Sequence, residues 1–166
     1  MTNEDHVSTV LAQWAAERPD LDASPMGIIG RISRLALTMD KELELVFMQF
    51  GLYRWSFDML ATLRRSGAPY RLSPSTLFRS MMVTSGTMTN RIDRLEEKGL
   101  VRRVPDPEDR RGILVELTEQ GRELIDTALP THVANEEHIL KALSKEEQRT
   151  LAALLSKLLS SLEHQS

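Results

Sequence analysis

Apolar positions recur at helical spacing over most of the chain and give way to strand-like runs in one region only. Val7, Val10, Leu11 and Trp14 stand at i, i+3, i+4 and i+7, the pattern of a short amphipathic helix that "ERPD" ends. Ser24-Pro25 supplies an N-cap and a first-turn proline, and the pattern from Met26 predicts a long helix to about Phe50, where Gly51 breaks it. Ser56 is the expected cap of "FDMLATLRR", which stops at "SGAP". Ser73-Pro74 repeats the Ser-Pro start for "STLFRSM". After "VTS" a further helix runs to Lys98, with Gly99 as its C-cap. "LVRRV" and "ILVELT" read as two strands. Thr118 caps a helix to about Leu143 with Pro130 as a kink, and "SKEE" is a capping box that opens the last helix. The pattern predicts a mainly α (α+β) chain: a tri-helical unit and a hairpin between helical arms.

Leu151, Leu154, Leu155, Leu158 and Leu162 form an apolar stripe on the last helix that the small central unit is too small to cover. Burial against a second copy in a two-fold homodimer is the expectation, with packing inside one chain as the alternative.

Composition removes several classes. The 166 residues with 41% apolar content suit one soluble domain or a domain with helical extensions. Apolar runs fall short of the roughly 18 residues of a membrane span, and "MTNEDH" lacks the basic start of a signal peptide, so a cytoplasmic protein without a membrane partner is expected. The absence of cysteine excludes disulfides, thiolate zinc sites and thiol redox sensing. His6, His132, His138 and His164 show no metal-ligand spacing, and no nucleophile triad or phosphate loop is present. Neither a metal, a cofactor nor an enzymatic activity is expected.

The net charge of −3 conceals a division along the chain. Residues 51–117 hold twelve Lys/Arg against eight Asp/Glu, a balance of +4, whereas residues 1–50 carry −4 and residues 118–166 carry −3. Phosphate contact requires local positive charge, so the basic centre is the candidate nucleic-acid face. Two features there carry suitable chemistry. Projected at 100° per residue, "TSGTMTNRIDRLEEKG" buries Met88, Ile92 and Leu95 and turns Gly86, Thr89, Asn90, Asp93 and Arg94 the other way, a set of groups fit for base edges and phosphates or for a solvated face. Arg91 lies about 60° from the buried stripe. "VPDPEDRRGILVELT" thrusts Arg110 and Arg111 onto a turn between strands, which suits a hairpin reaching into nucleic acid or an ordinary solvated turn.

The stretch "LFRSMMVTSGTMTNRIDRLEEKGLVRRVPDPEDRRGILVELTEQGREL" resembles the winged helix-turn-helix of the MarR family of bacterial regulators. The resemblance extends over nearly the whole chain. It implies N-terminal helices and a dimerisation arm in residues 1–50, a DNA-binding winged helix-turn-helix in 51–117 and C-terminal dimerisation helices in 118–166. It also implies a repressor that binds a pseudo-palindromic double-stranded operator as a homodimer. By position, Ser85, Gly86, Thr87, Thr89, Asn90, Arg91 and Arg94 fall on the recognition helix and Asp109, Arg110 and Arg111 on the wing. Arg111 resembles the arginine such wings place in the minor groove, with Asp109 expected to pair with its guanidinium.

A narrower resemblance links the N-terminal helix with its Trp, and "RPDLDASPM", to the family's urate-responsive branch. The branch implies a ligand site of Trp14, Asp58, Arg91 and Arg103, in which an indole stacks on a planar purine, Arg103 pairs with its charge and an Asp58–Arg91 pair biases the recognition helix. Read singly, Trp14 is also compatible with plain core and Asp58 with a first-turn helix acid. A small anionic aromatic ligand, urate or a related purine, is the expected effector; phenolic or aromatic carboxylic acids, and a winged helix that binds only protein, are the alternatives.

Overall fold

The computed structural model describes residues 5–82 and 88–164. The chain divides into two compact units, Met1–Glu42 and Leu43–Ser166.

In the first unit, α1 (His6–Glu17) is capped by Asp5, whose carboxylate accepts the Ser8 backbone N–H at 2.8 Å. The second helix, α2 (Ser24–Gln49), begins here and continues beyond the unit. Its start differs from expectation: Ser24 is the first helical residue, and Asp22 supplies the side-chain acceptor, taking the Ser24 N–H at 2.9 Å. Arg31 joins the two helices, donating from Nε and Nη2 to the Asp5 carboxylate at 2.8 and 3.1 Å and from Nη2 to Ser8 Oγ at 2.9 Å. Gly27 admits this approach, since a β-carbon there would stand 3.0 Å from Leu11.

The second unit opens with the last turns of α2, which Gly51 ends at φ +66°. In α3 (Arg54–Arg65) the helix begins two residues before the expected cap. Ser56 is its third residue rather than its N-cap, and the Ser56 hydroxyl accepts the Tyr53 N–H at 2.8 Å. Asp58 consequently sits beyond the first turn. A two-residue strand, β1 (Arg71–Leu72), precedes α4 (Pro74–Ser80), which Ser73 caps with Pro74 at the first position. Next come α5 (Met88–Glu97), β2 (Val101–Pro105) and β3 (Ile113–Leu117). Gly99 (φ +69°) closes α5, with the Leu100 N–H returning to the Leu95 carbonyl at 2.9 Å. The three strands form an antiparallel sheet of order β1-β3-β2, in which Arg103 pairs with Val115. Met59, Leu60, Leu63, Leu77, Ile92, Leu95, Val101, Val115 and Ile125 fill the core of this unit.

Thr118 caps α6 (Glu119–Ile139) by accepting the Gly121 N–H at 3.0 Å; Pro130 lies inside it, and a 3-10 turn at Leu140–Ala142 replaces the last α-helical turn expected. Ser144 and Glu147 form the capping box of α7 (Lys145–Glu163). Mostly helical, with a small antiparallel sheet, the chain has the architecture expected of a winged helix-turn-helix with helical extensions. Among the described residues no helix is long and apolar enough to cross a membrane.

Candidate nucleic-acid interface and effector cleft

Ile92 and Leu95 anchor α5 in the core at 2% and 1% exposure, with Met88 packed beside them. That orientation leaves Thr89, Asn90 and Arg94 exposed on the opposite side. Hydroxyl, amide and guanidinium groups on one open helix face are what base edges and phosphates require. Ser85, Gly86 and Thr87 lie outside the described residues. Arg91 does not belong to the open face. It is only 7% exposed, with its guanidinium 5.5 Å from the centre of the Trp55 ring, so it faces the domain body rather than DNA.

Beside α5 stands the β2–β3 hairpin. The Asp106 N–H donates to the Gly112 carbonyl at 3.0 Å and closes the turn, and a β-carbon on Gly112 would lie 2.9 Å from that of Asp106. At the tip, the expected Asp109–Arg111 ion pair is replaced by a backbone contact: the Asp109 carboxylate accepts the Arg111 N–H at 2.9 Å. A short side chain two residues before the N–H reaches it more readily than the far end of a guanidinium, which is how Asp shapes turns. Arg110 and Arg111 are exposed, and among the described residues neither guanidinium forms an ion pair.

Arg103, at the middle of β2, is differently placed. Its Nη2 donates to Asp93 Oδ1 at 2.6 Å, its Nη1 donates to Glu96 Oε2, and its backbone N–H donates to Glu96 Oε1 at 2.9 Å. The hydrogen bond to Asp93 is the largest cause holding the guanidinium above its ordinary pKa. An arginine expected to receive a ligand anion is thus already engaged by two carboxylates of α5. The attachment of Asp93 and Glu96 to Arg103 was not legible in the sequence.

Asp58 is buried, with Arg65 at 4.0 Å, and borders a cleft of about 130 Å³ shared with Leu43, Phe47, Arg54, Phe57, His132 and Glu136. The Phe47 and Phe57 rings stack at 4.4 Å, and His132 lies 4.7 Å from Phe57 with Nε2 3.2 Å from Glu136. Nothing in the local sequence marks His132, which joins this group only through the packing of α6. Trp14 belongs to the other unit, on α1, and is 39% exposed rather than core. Among the described residues no group of three or more His, Asp or Glu side chains could hold a metal ion.

Comparison with known proteins gives a consistent picture. Residues 52–113 match the profile of the MarR family. The HTH-type transcriptional regulator PecS of Dickeya dadantii (strain 3937) is 46% identical over 151 residues, covering 91% of each chain. Among solved structures, AbsC, a MarR family transcriptional regulator from Streptomyces coelicolor, superposes with a TM-score of 0.77 at 26% identity over 87% of this chain and 97% of its own. A mutant MarR from E. coli complexed with operator DNA superposes with a TM-score of 0.71 at 29% identity over 81% of this chain and 94% of its own.

Proposed function

Since this chain belongs to the MarR family, whose members are DNA-binding transcriptional regulators and not enzymes, we propose that it acts as a homodimeric repressor that leaves a pseudo-palindromic operator when a small planar anion binds. The observation that carries the DNA-reading part is the open face of α5, with Thr89, Asn90 and Arg94, next to a wing whose Arg110 and Arg111 form no ion pair among the described residues. Asn90 suits an adenine edge and Arg111 a phosphate or narrow minor groove.

Dimerisation is supported by the leucine row of α7, where Leu151, Leu154, Leu155, Leu158 and Leu159 are 37–61% exposed. In a two-fold dimer each copy contributes this row, and covering the exposed half of both rows is worth on the order of 8–15 kcal/mol at most. Association costs roughly 4–15 kcal/mol, so α7 alone leaves little surplus. Ile28, Ile29, Leu35 and Leu37 of α2, 54–67% exposed, are further uncovered apolar area in the first unit.

For the effector, the Asp58 cleft fits a purine better than an aromatic acid, because a carboxylate accepts from ring N–H groups, which a purine carries and a simple aromatic acid lacks. Phe47, Phe57 and His132 offer flat surfaces for a planar ring, and the urate-responsive resemblance implies roles for Trp14 and Arg91 in binding it. Arg103 would have to leave Asp93 and Glu96 to join them. The test is fluorescence anisotropy on a duplex selected by the protein from a random pool. Release of that duplex by urate supports the reading, and failure of urate and xanthine at millimolar concentration, with release by salicylate, replaces the purine with an aromatic acid.

A further inference from the structure

We infer that Arg103, with Asp93 and Glu96, is an ionic clamp that fixes the angle of the wing against the recognition helix, and that Arg103 is a positioning residue for DNA reading. The inference rests on the proposed roles of α5 and the wing in contacting DNA.

Asp93 and Glu96 stand at i and i+3 on α5, so their carboxylates share one face. Both converge on one residue of β2. Glu96 holds the Arg103 main chain and side chain together, and Asp93 takes the other guanidinium arm. Such paired, charge-assisted bonds fix direction as well as distance. With the Arg103 side chain 29% exposed, against 48% and 37% for its partners, the clamp is partly shielded from water.

Its charge keeps anions away from Arg103 while the clamp is closed. Two carboxylates and one guanidinium leave a net negative cluster, which an approaching anion meets before it meets Arg103. Those same acids lie on a helix proposed to approach phosphates, where Coulomb forces alone oppose them. Holding the wing gives them a purpose there.

The geometry multiplies small errors. Glu108, at the wing tip, lies five residues beyond Arg103, at most about 16 Å along an extended strand. A swing of roughly 10° at the base would move the tip by about 3 Å over that reach. That displacement is as long as a hydrogen bond and would take Arg111 off its phosphate.

The decisive variant is Asp93→Asn with Glu96→Gln, measured by anisotropy on the selected duplex across a salt series. Charge alone predicts tighter binding when two acids leave the DNA side. The clamp predicts affinity lower by roughly 5- to 30-fold, with a salt slope reduced by about one unit. Arg103→Gln should do the same from the other partner, and Arg103→Lys, which keeps one ion pair, should lose less. In an Arg111→Ala background each change should cost less than about twofold more, because the wing contact is already gone. Thermal melts confirm that each variant is folded. Unchanged or tighter binding by the double variant, or full additivity with Arg111→Ala, overturns the clamp alone. If Arg111→Ala by itself leaves the salt slope unchanged, the proposed wing contact fails, and the clamp fails with it.

Discussion

Gly121 packs against Leu100 so closely that a β-carbon on Gly121 would stand 2.0 Å from the Leu100 carbonyl oxygen. The same carbonyl accepts the Thr118 N–H at 3.1 Å, while the Thr118 hydroxyl donates to the Gly99 carbonyl at 2.7 Å and accepts the Gly121 N–H. The "LTEQG" motif is therefore a joint: Thr118 caps α6 and Gly121 lets its first turn press onto the start of β2. Gly121→Ala should force backbone apart rather than a flexible side chain. A loss of about 1–3 kcal/mol or more is expected, seen as a melting temperature lower by several degrees, and an unchanged melt would show that this contact yields freely.

The leucine row of α7 predicts the behaviour of single charge insertions. Leu155→Asp or Leu158→Asp should shift the protein to monomer at micromolar concentration, with operator affinity falling in parallel because two half-sites are no longer read together. Light scattering and anisotropy on the same samples check this. A variant that remains dimeric and binds normally would point to an interface elsewhere.

Asp5 ties α1 to α2 and has a pKa lowered from 3.8 to about 2, first by its hydrogen bond from Arg31 and then by the Ser8 N–H. A depressed folded-state pKa means that the tie contributes fully above pH 3.8 and is lost as pH falls through about 2. Wild type should show a transition in Trp14 emission over that acid range which Asp5→Asn lacks, measured with Trp55→Phe in both. Identical titrations would remove Asp5 from the account of α1.

The proposed ligand binding is tested at the same indole. With Trp55→Phe, only Trp14 reports, since the chain has two tryptophans. Urate should quench it, and operator DNA should weaken urate by the factor by which urate weakens DNA, about 5–150-fold for an ordinary coupling. Quenching without that reciprocity would mean a site unconnected to DNA reading.

The elements were legible where period and punctuation agree: Ser73-Pro74, Gly99, Thr118 and the Ser144–Glu147 box stand where their chemistry put them. Local signals failed where a longer-range contact competed. Ser56 looked like a cap, but Tyr53 holds the cap position, the helix starts at Arg54 and Ser56 serves it from the third position. The strand β1 has two residues and no period to detect; it exists because Arg71 and Leu72 meet Glu116 and Val115 of β3. In the site, the buried flank of α5 was readable from its projection, and Arg91 lies on it. The partners of Arg103 and Asp109 were not, since a charge pattern names possible partners without choosing among them.

The most direct measurement of DNA reading by α5 and the wing is a salt titration of wild type, Asn90→Ala and Arg111→Ala on the selected duplex and on a shuffled one of equal length. Arg111→Ala should weaken both duplexes and lower the salt slope by about one unit. Asn90→Ala should weaken the selected duplex by about 1–3 kcal/mol and leave the shuffled one nearly unchanged, closing the gap between them. Equal losses for Asn90→Ala on both duplexes, with an unaltered slope for Arg111→Ala, would contradict the assignment of base reading to α5 and phosphate contact to the wing.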